Sequence, residues 1–168
     1  CEFPVNVVSL TGGVNYYLPN TRSSIFNAKL YLTPAPLLMA SEDIVKAMEQ
    51  EPSVKQIRHM ATLAQMSIVG IGGVDSNATL LTNGTLNHSD VLLLSMQGAV
   101  GDMLCHFIDK DGNVIQSSLE RRLMSTPLEQ LKEMSNSIGV AGGSTKSEAI
   151  LAALKGNYLD VLITDETT

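Results

Sequence analysis

The sequence predicts an α/β fold built on a doubly wound, mostly parallel sheet. Strand-like segments alternate along the chain with segments whose apolar residues recur at helical spacing. Residues 159–164, LDVLIT, form a nearly continuous apolar run, which is typical of a parallel strand buried on both faces. With 168 residues, 44% of them hydrophobic and 4% aromatic, the chain is long enough for one domain, residues 1–168, with an aliphatic core.

The first half of the chain is predicted to contain two strands and two helices. Residues 5–10 are predicted to be a buried strand that ends in the glycine turn Thr11-Gly12-Gly13. Ser41 has the position of a helix N-cap, and Pro52 suits the first turn of a second helix running to about Met66. Residues 67–71 are predicted to be the next strand.

The middle of the chain contains weaker signals. Residues 76–97 are predicted to hold two short helices, although the VLLLSM run fits a strand equally well. Residues 103–116 indicate a hairpin with Asp111 and Gly112 in the turn. Residues 126–129, Thr-Pro-Leu-Glu, have the spacing of a capping box and predict the start of a helix.

The most informative segment is residues 137–166, which predicts a strand, a glycine turn, a helix and a strand in succession. Gly142 and Gly143 form the turn, Ser144 is the predicted N-cap, and Lys146 falls in the first helical turn. Unpaired N–H groups at a helix start suit a phosphate or a carboxylate, and an ammonium adds to this. An anion-binding corner is therefore predicted, with a solvated helix lysine as the alternative.

Other classes of site are not supported. A Walker loop needs glycine where Thr145 stands, and Asp75 replaces the third glycine of a dinucleotide fingerprint, so no nucleotide cofactor is expected. Neither the two cysteines nor the three histidines have metal-site spacing, so no metal is expected. The net charge of −6 argues against nucleic-acid binding by this part of the chain. No apolar run reaches the roughly 20 residues that span a bilayer, and the expected location is the cytoplasm, away from membranes.

Glycine turns are expected at one edge of the sheet. Ligands of doubly wound sheets bind beyond the carboxyl ends of the strands. The turns at residues 11–13, 70–73 and 142–143 are all predicted to lie there, which favours a pocket at this edge. Asp165 and Glu166 follow the last predicted strand at the same edge, either as ligand groups or as solvated or helix-capping residues.

Five blocks of sequence follow one another along the chain: SLTGG, PAPLLMAS, MSIVGIGG, GAVGDMLCHFIDKDG and IGVAGGSTKSEAILAALKGNYLDVLITDE. Together they resemble the sugar-binding domain of SorC-type bacterial transcriptional regulators, and most of all the sorbitol or sorbose operon regulators. The resemblance implies a Rossmann-like three-layer sandwich related to glucosamine-phosphate deaminase, ribose-phosphate isomerase and CoA-transferase domains. It also implies a sugar or sugar-phosphate effector and a homodimer or homotetramer. Operator DNA would be bound by an N-terminal helix-turn-helix domain that is missing from this sequence.

The resemblance also assigns site residues. Asp102 matches a position that binds sugar hydroxyls, whereas the implied phosphate contacts are Thr11, Gly12, Gly13, Gly142, Gly143 and Lys146. Arg22 is a candidate second cation, but it lies with Asn15 and Tyr16 in a stretch that departs from the family pattern. The alternatives are a purely structural turn for residues 11–13 and a local cap or ion pair for Asp102.

The residues alone are compatible with two functions. One is an effector-sensing domain whose ligand shifts the oligomer between two arrangements and so controls transcription. The other is an isomerase or deaminase acting on a similar ligand, with Asp102 as the base. Since no histidine follows Asp102 in a plausible pocket position, and no acid pair is clearly placed, sensing is the preferred hypothesis.

Overall fold

The computed structural model describes residues 5–13, 28–74, 80 and 84–168, and these fall into two compact units. The first unit comprises Cys1–Ala64 and Arg121–Thr126, and the second comprises Gln65–Glu120 and Pro127–Thr168. Across the described ranges, none of the helices has the length and apolar character needed to cross a membrane. The expectation that residues 1–168 form one domain stays a prediction.

The first unit contains a parallel strand pair and two helices, in the order β1 (Val5–Val8), β2 (Ala28–Tyr31), α1 (Glu42–Gln50) and α2 (Pro52–Thr62). Ser41 caps α1 as predicted, because its Oγ accepts a hydrogen bond from the Ile44 N–H at 3.4 Å. Pro52 opens α2, also as predicted, but α2 ends at Thr62 instead of near Met66. A small buried cluster holds the unit together: Met39, Val45, Val54 and Met124.

The prediction that the first strand is buried was wrong. Val5 and Val7 are 42% and 45% exposed. They share one face of a two-stranded sheet, and alternate residues of a strand point to the same side. An apolar sequence alone does not indicate how many layers cover a strand.

The second unit contains a five-stranded sheet with helices. Its elements are β3 (Ser67–Gly73), α3 (His88–Met96), β4 (Ala99–Met103), β5 (His106–Asp109), α4 (Leu128–Glu133), β6 (Ser137–Val140), α5 (Ser147–Lys155) and β7 (Val161–Ile163). The spatial order is β5-β4-β3-β6-β7; β3, β6 and β7 are parallel, whereas β4 and β5 form an antiparallel edge. The predicted α/β fold is confirmed.

The last strand differs from its prediction. β7 covers Val161–Ile163 and lies at the edge of the sheet, where Val161 is 47% and Ile163 is 54% exposed. The LDVLIT run was predicted to be buried on both faces, and this was wrong. Val161 and Ile163 lie on the same face of this edge strand, and among the described residues that face is only partly covered.

In the middle of the chain, the structure decides between helix and strand for one segment, confirms a predicted hairpin and contradicts a predicted capping box. The VLLLSM run is helical, because Asn87 and Asp90 form a reciprocal capping box at the start of α3. The hairpin around Asp111 and Gly112 is confirmed by the bridge between Ile108 and Val114. The capping box predicted at residues 126–129 was wrong, because Thr126 Oγ1 donates to the Leu10 carbonyl at 2.9 Å instead of capping α4.

The helix of the informative segment packs closely on the sheet. Its buried face consists of Ala149, Ile150, Ala152 and Ala153. Gly101 of β4 lies directly beneath this face, and a Cβ atom at residue 101 would overlap the Cβ of Ala149. Small residues on both elements therefore set the distance between α5 and the sheet.

Candidate functional site

The candidate site lies in the second unit, at the carboxyl ends of its parallel strands. Val140 of β6 is in register with Gly70 of β3 and with Ile163 of β7. The Gly142-Gly143 turn and Asp165 each follow two residues beyond these paired positions. The strand ends thus bring the predicted glycine turn and the last acidic residues to one edge, where ligands of such sheets bind.

Asp102 is held in place by the neighbouring strand. β4 pairs with β3 so that Asp102 lies opposite Gly72, and a Cβ at residue 72 would overlap Asp102 Oδ1. Asp102 Oδ2 accepts a hydrogen bond from the Cys105 N–H at 3.2 Å. Gly72 is therefore the residue that leaves room for this carboxyl group.

The surroundings of Asp102 change its acidity. Burial raises the pKa of Asp102 to about 6, while the Cys105 N–H and the charges of Lys146 and His106 act in the opposite direction. The acid is thus close to half-protonated near pH 6 and can either donate a hydrogen bond or accept one. Both capacities suit a sugar hydroxyl, which is itself a donor and an acceptor.

Lys146 is brought near Asp102, but not by the predicted helix start. Ser144–Lys146 form a short 3-10 helix, and α5 begins only at Ser147. The prediction that Ser144 is the N-cap was therefore wrong, because Lys146 occupies that position and no side chain caps the helix. Among the residues described, Lys146 forms no ion pair within 4 Å. Its ammonium group nevertheless acts on the Asp102 carboxyl.

The Gly142-Gly143 turn is not an open anion cradle. Gly143 has a φ of +100°, which favours glycine, and its N–H donates to Thr168 Oγ1 at 2.9 Å. Asp165 lies against the same turn, because a Cβ at residue 142 would overlap its Oδ2. The Gly143 N–H is therefore hydrogen-bonded within the chain, and the phosphate contacts of Gly142 and Gly143 stay a prediction.

Asp165 is an ordered acid at this edge. Its Oδ1 accepts hydrogen bonds from the Thr167 N–H at 2.9 Å, from Thr167 Oγ1 at 2.8 Å and from Thr168 Oγ1 at 2.9 Å. These bonds, above all the one from the Thr167 side chain, lower the pKa of Asp165 below its ordinary value. The carboxylate therefore carries its negative charge at neutral pH.

The other predicted residues lie in the first unit or outside the described residues. The Gly12 N–H donates to the Met124 carbonyl at 2.8 Å and the Gly13 N–H to the Ala35 carbonyl at 2.9 Å. Those bonds match the structural alternative for the Thr11-Gly12-Gly13 turn, and its role in binding stays a prediction. Asn15, Tyr16 and Arg22 lie outside the described residues.

A separate cleft of about 460 Å³ lies elsewhere in the second unit. Its lining includes His106 and Glu120, whose Nδ1 and Oε1 atoms are in hydrogen-bonding contact at 2.7 Å. Its two lysines, Lys132 and Lys155, are each paired with a carboxylate on the rim. None of the predicted ligand residues lines the cleft, and each of its two lysines is already paired with a carboxylate, so it does not resemble an anion site. Within the described ranges, His, Cys, Asp and Glu side chains form no group of three suited to a metal ion.

Gly72 and Asp165 are the residues that the sequence alone did not assign to the site. Gly72 belongs to the cluster at residues 70–73 that was predicted to be a turn at this edge. That prediction was wrong, because β3 runs through Gly73, and only the register of β3 and β4 places Gly72 opposite Asp102. The sequence left two roles open for Asp165, that of a ligand group and that of a solvated or helix-capping residue. Its contact with Gly142 is made across 23 residues of sequence, and local patterns carry no signal for such a contact.

A family model described as "Putative sugar-binding domain" matches residues 3–168. The transcriptional regulator LsrR of Klebsiella pneumoniae is 35% identical over 167 residues, which cover 98% of this chain and 52% of LsrR. The chain thus spans about half the length of the curated relatives it matches. These relatives are transcriptional regulators, not enzymes.

Solved structures agree on the fold. A DeoR family transcriptional regulator from Listeria monocytogenes has a TM-score of 0.85 at 23% identity, over 97% of this chain and 69% of that one. The full-length sorbitol operon regulator SorC from Klebsiella pneumoniae has a TM-score of 0.81 at 24% identity, over 96% of this chain and 55% of that one. Together with the family model and the regulator relatives, this confirms the resemblance to SorC-type sugar-binding domains, whereas the resemblance to sorbitol or sorbose operon regulators in particular stays a prediction.

Proposed function

Because the chain belongs to the family of sugar-binding domains and its relatives are bacterial transcriptional regulators, we propose that it binds a sugar or sugar-phosphate effector. The observation that carries this proposal is that Asp102 lies opposite Gly72 near the carboxyl end of β3, where the charge of Lys146 acts on it. Asp102 binds ligand hydroxyls as donor or acceptor, and the Lys146 ammonium attracts a phosphate.

Effector binding regulates transcription by a population shift. The ligand binds one arrangement of the regulator more tightly and so increases its share of the population. Operator DNA is contacted by an N-terminal domain outside this chain, and the regulator acts as a homodimer or homotetramer. Only a difference in ligand affinity between the arrangements can change DNA binding, and such coupling is typically about 1–3 kcal/mol.

A thermal-shift screen of candidate compounds identifies the sugar. Sorbitol, sorbose and their phosphates belong in it because one structural neighbour is a sorbitol operon regulator, and other ketoses and polyols are included in free and phosphorylated form. A bound ligand stabilises the folded chain by mass action, so at least one compound should raise the melting temperature in a concentration-dependent way. If every compound left the melting temperature unchanged at millimolar concentration, the proposed function would be wrong.

A further inference from the structure

The Gly142-Gly143 turn is bonded to a hydroxyl group of the chain itself. The Gly143 N–H donates to Thr168 Oγ1 at 2.9 Å, and the same hydroxyl donates to Asp165 Oδ1 at 2.9 Å. One hydroxyl therefore acts as acceptor and donor at once, as an alcohol can. The turn and the carboxylate offer this pair of partners to any alcohol of suitable position.

The geometry of Asp165 is fixed independently of Thr168. Thr167 donates to Asp165 Oδ1 from both its N–H and its Oγ1, at 2.9 Å and 2.8 Å. On the other side, Asp165 Oδ2 fills the space in which a side chain of residue 142 would lie. The carboxylate is therefore held beside the turn by groups that a ligand does not need to displace. Thr168 is exposed, like Asp165 and Thr167, and a ligand hydroxyl in place of its hydroxyl would leave the two bonds from Thr167 intact.

The charge of Asp165 decides which ligand group fits the turn. A phosphate or carboxylate accepting from the Gly143 N–H would lie beside an ionised carboxylate of the same sign, and like charges at short range repel. A neutral hydroxyl avoids this repulsion and gains the Asp165 oxygen as an acceptor. The cation of the site, Lys146, lies three residues further along the chain, at the end of the 3-10 helix.

We propose that Asp165 and the Gly143 N–H form a hydroxyl-binding subsite for the sugar, in which the Thr168 hydroxyl is the stand-in for a ligand hydroxyl. The subsite rests on the proposed function and deepens it, since it makes Asp165 a specificity-determining residue. Ligands with an uncharged alcohol at this position are accepted, and ligands with a second phosphate or a carboxylate there are rejected. A phosphate of the ligand is directed to Lys146 instead of to the glycine turn.

Two probes separate the subsite from the phosphate contact: sorbitol, a neutral polyol, and inorganic phosphate. Each is titrated into the chain while the amide resonances of Gly143 and Lys146 are followed by ¹H–¹⁵N NMR. Sorbitol is expected to shift the Gly143 resonance of the wild-type chain in a saturable manner. Phosphate is expected to shift the resonance of Lys146 while leaving Gly143 nearly unchanged.

Three variants test the role of the side chains. Asp165→Asn keeps an oxygen acceptor but removes the charge, so sorbitol should bind about 10-fold more weakly or worse, and phosphate should now shift Gly143. Thr168→Ala removes the internal competitor, so sorbitol should bind more tightly. Glu166→Gln removes the same charge from the neighbouring exposed residue and should change neither titration.

The outcomes distinguish the subsite from the proposed function. The subsite would be overturned if phosphate shifted the Gly143 resonance equally in the wild type and in Asp165→Asn. It would also be overturned if sorbitol did not shift the Gly143 resonance of the wild type. If the dissociation constant for sorbitol were the same in Thr168→Ala as in the wild type, the Thr168 hydroxyl would not be a stand-in for a ligand hydroxyl. If sorbitol shifts Gly143 as expected while phosphate never affects Lys146, the subsite stands and the phosphate contact of the proposed function fails.

Discussion

Asp102 and Gly72 depend on each other at the level of single residues. The carboxyl group occupies the space that a side chain at residue 72 would fill, and its other oxygen is bonded to the Cys105 N–H. Burial of the group raises its pKa, which disfavours the charged form in the folded chain. The acid is therefore well suited to bind a hydroxyl and unsuited to bind an anion while ionised.

The raised pKa of Asp102 predicts a specific pH dependence of stability. The ordinary pKa of 3.8 applies in the unfolded chain and the value of about 6 in the folded one. Between these values the folded chain binds more protons, so the free energy of unfolding contributed by Asp102 is greatest below about pH 4 and is lost as the pH rises through 6. Acids whose pKa is lowered, such as Asp109 and Asp165, contribute with the opposite sign, so the fall is measured by denaturant unfolding as a difference from a variant without this acid.

Asp102→Asn isolates this contribution. The amide has nearly the shape of the protonated acid and cannot ionise, so the difference in stability between variant and wild type should grow in favour of the variant from pH 4 to pH 6. Other acids titrate in both proteins and cancel in the difference. A difference that is constant over this pH range would show that Asp102 has an ordinary pKa.

Lys146 is predicted to contribute directly to ligand binding. A charged hydrogen bond to a phosphate is worth roughly 1.5–3 kcal/mol, so Lys146→Ala should weaken binding of a sugar phosphate from the screen by about 10- to 150-fold in calorimetry. Lys155→Ala is the matched control, because Lys155 lies on the same helix region but pairs with Asp111 in the separate cleft. Loss of affinity in the Lys155 variant with none in the Lys146 variant would move the ligand to the cleft.

The contact between α5 and β4 determines stability at the level of elements. Gly101 leaves no room for a side chain beneath Ala149, whereas an added Cβ at Gly70 of β3 would meet no atom within 4 Å. Gly101→Ala should therefore destabilise the second unit by roughly 1–3 kcal/mol through overpacking. Gly70→Ala should be neutral or slightly stabilising, since it only restricts the unfolded chain.

Chemical denaturation of both variants checks the packing argument. The expected result is a lower midpoint for Gly101→Ala and an unchanged or higher midpoint for Gly70→Ala. Equal midpoints would mean that α5 can move away from the sheet at no cost, and the packing of small residues would then not explain its position.

The helices and turns could be predicted from the sequence where the residues that determine them are neighbours along the chain. Ser41, Pro52 and the hairpin around Gly112 act through neighbouring residues, and the structure confirms them. Burial of β1 and β7 could not be predicted, because it depends on which strands and layers lie beside an apolar segment. The contact between Asp165 and Gly142 was missed for the same reason, since it links separate strand ends.

At the scale of the whole molecule, the chain corresponds to about half of its regulator relatives. Under the proposed function, ligand binding is transmitted from this domain to the part of the regulator that binds operator DNA. We expect saturating effector to change the affinity of the longer protein for operator DNA by about 5- to 150-fold, the usual range of coupling between two sites. DNA titrations with and without effector measure this, and identical curves would rule out the proposed regulatory coupling.

A crystal structure of the chain with the ligand that emerges from the screen tests the central claim most directly. The account predicts that a sugar hydroxyl lies within hydrogen-bonding distance of Asp102 and that any phosphate pairs with Lys146. A ligand found instead in the cleft lined by His106, Glu120 and Tyr158, with Asp102 and Lys146 uncontacted, would contradict the account.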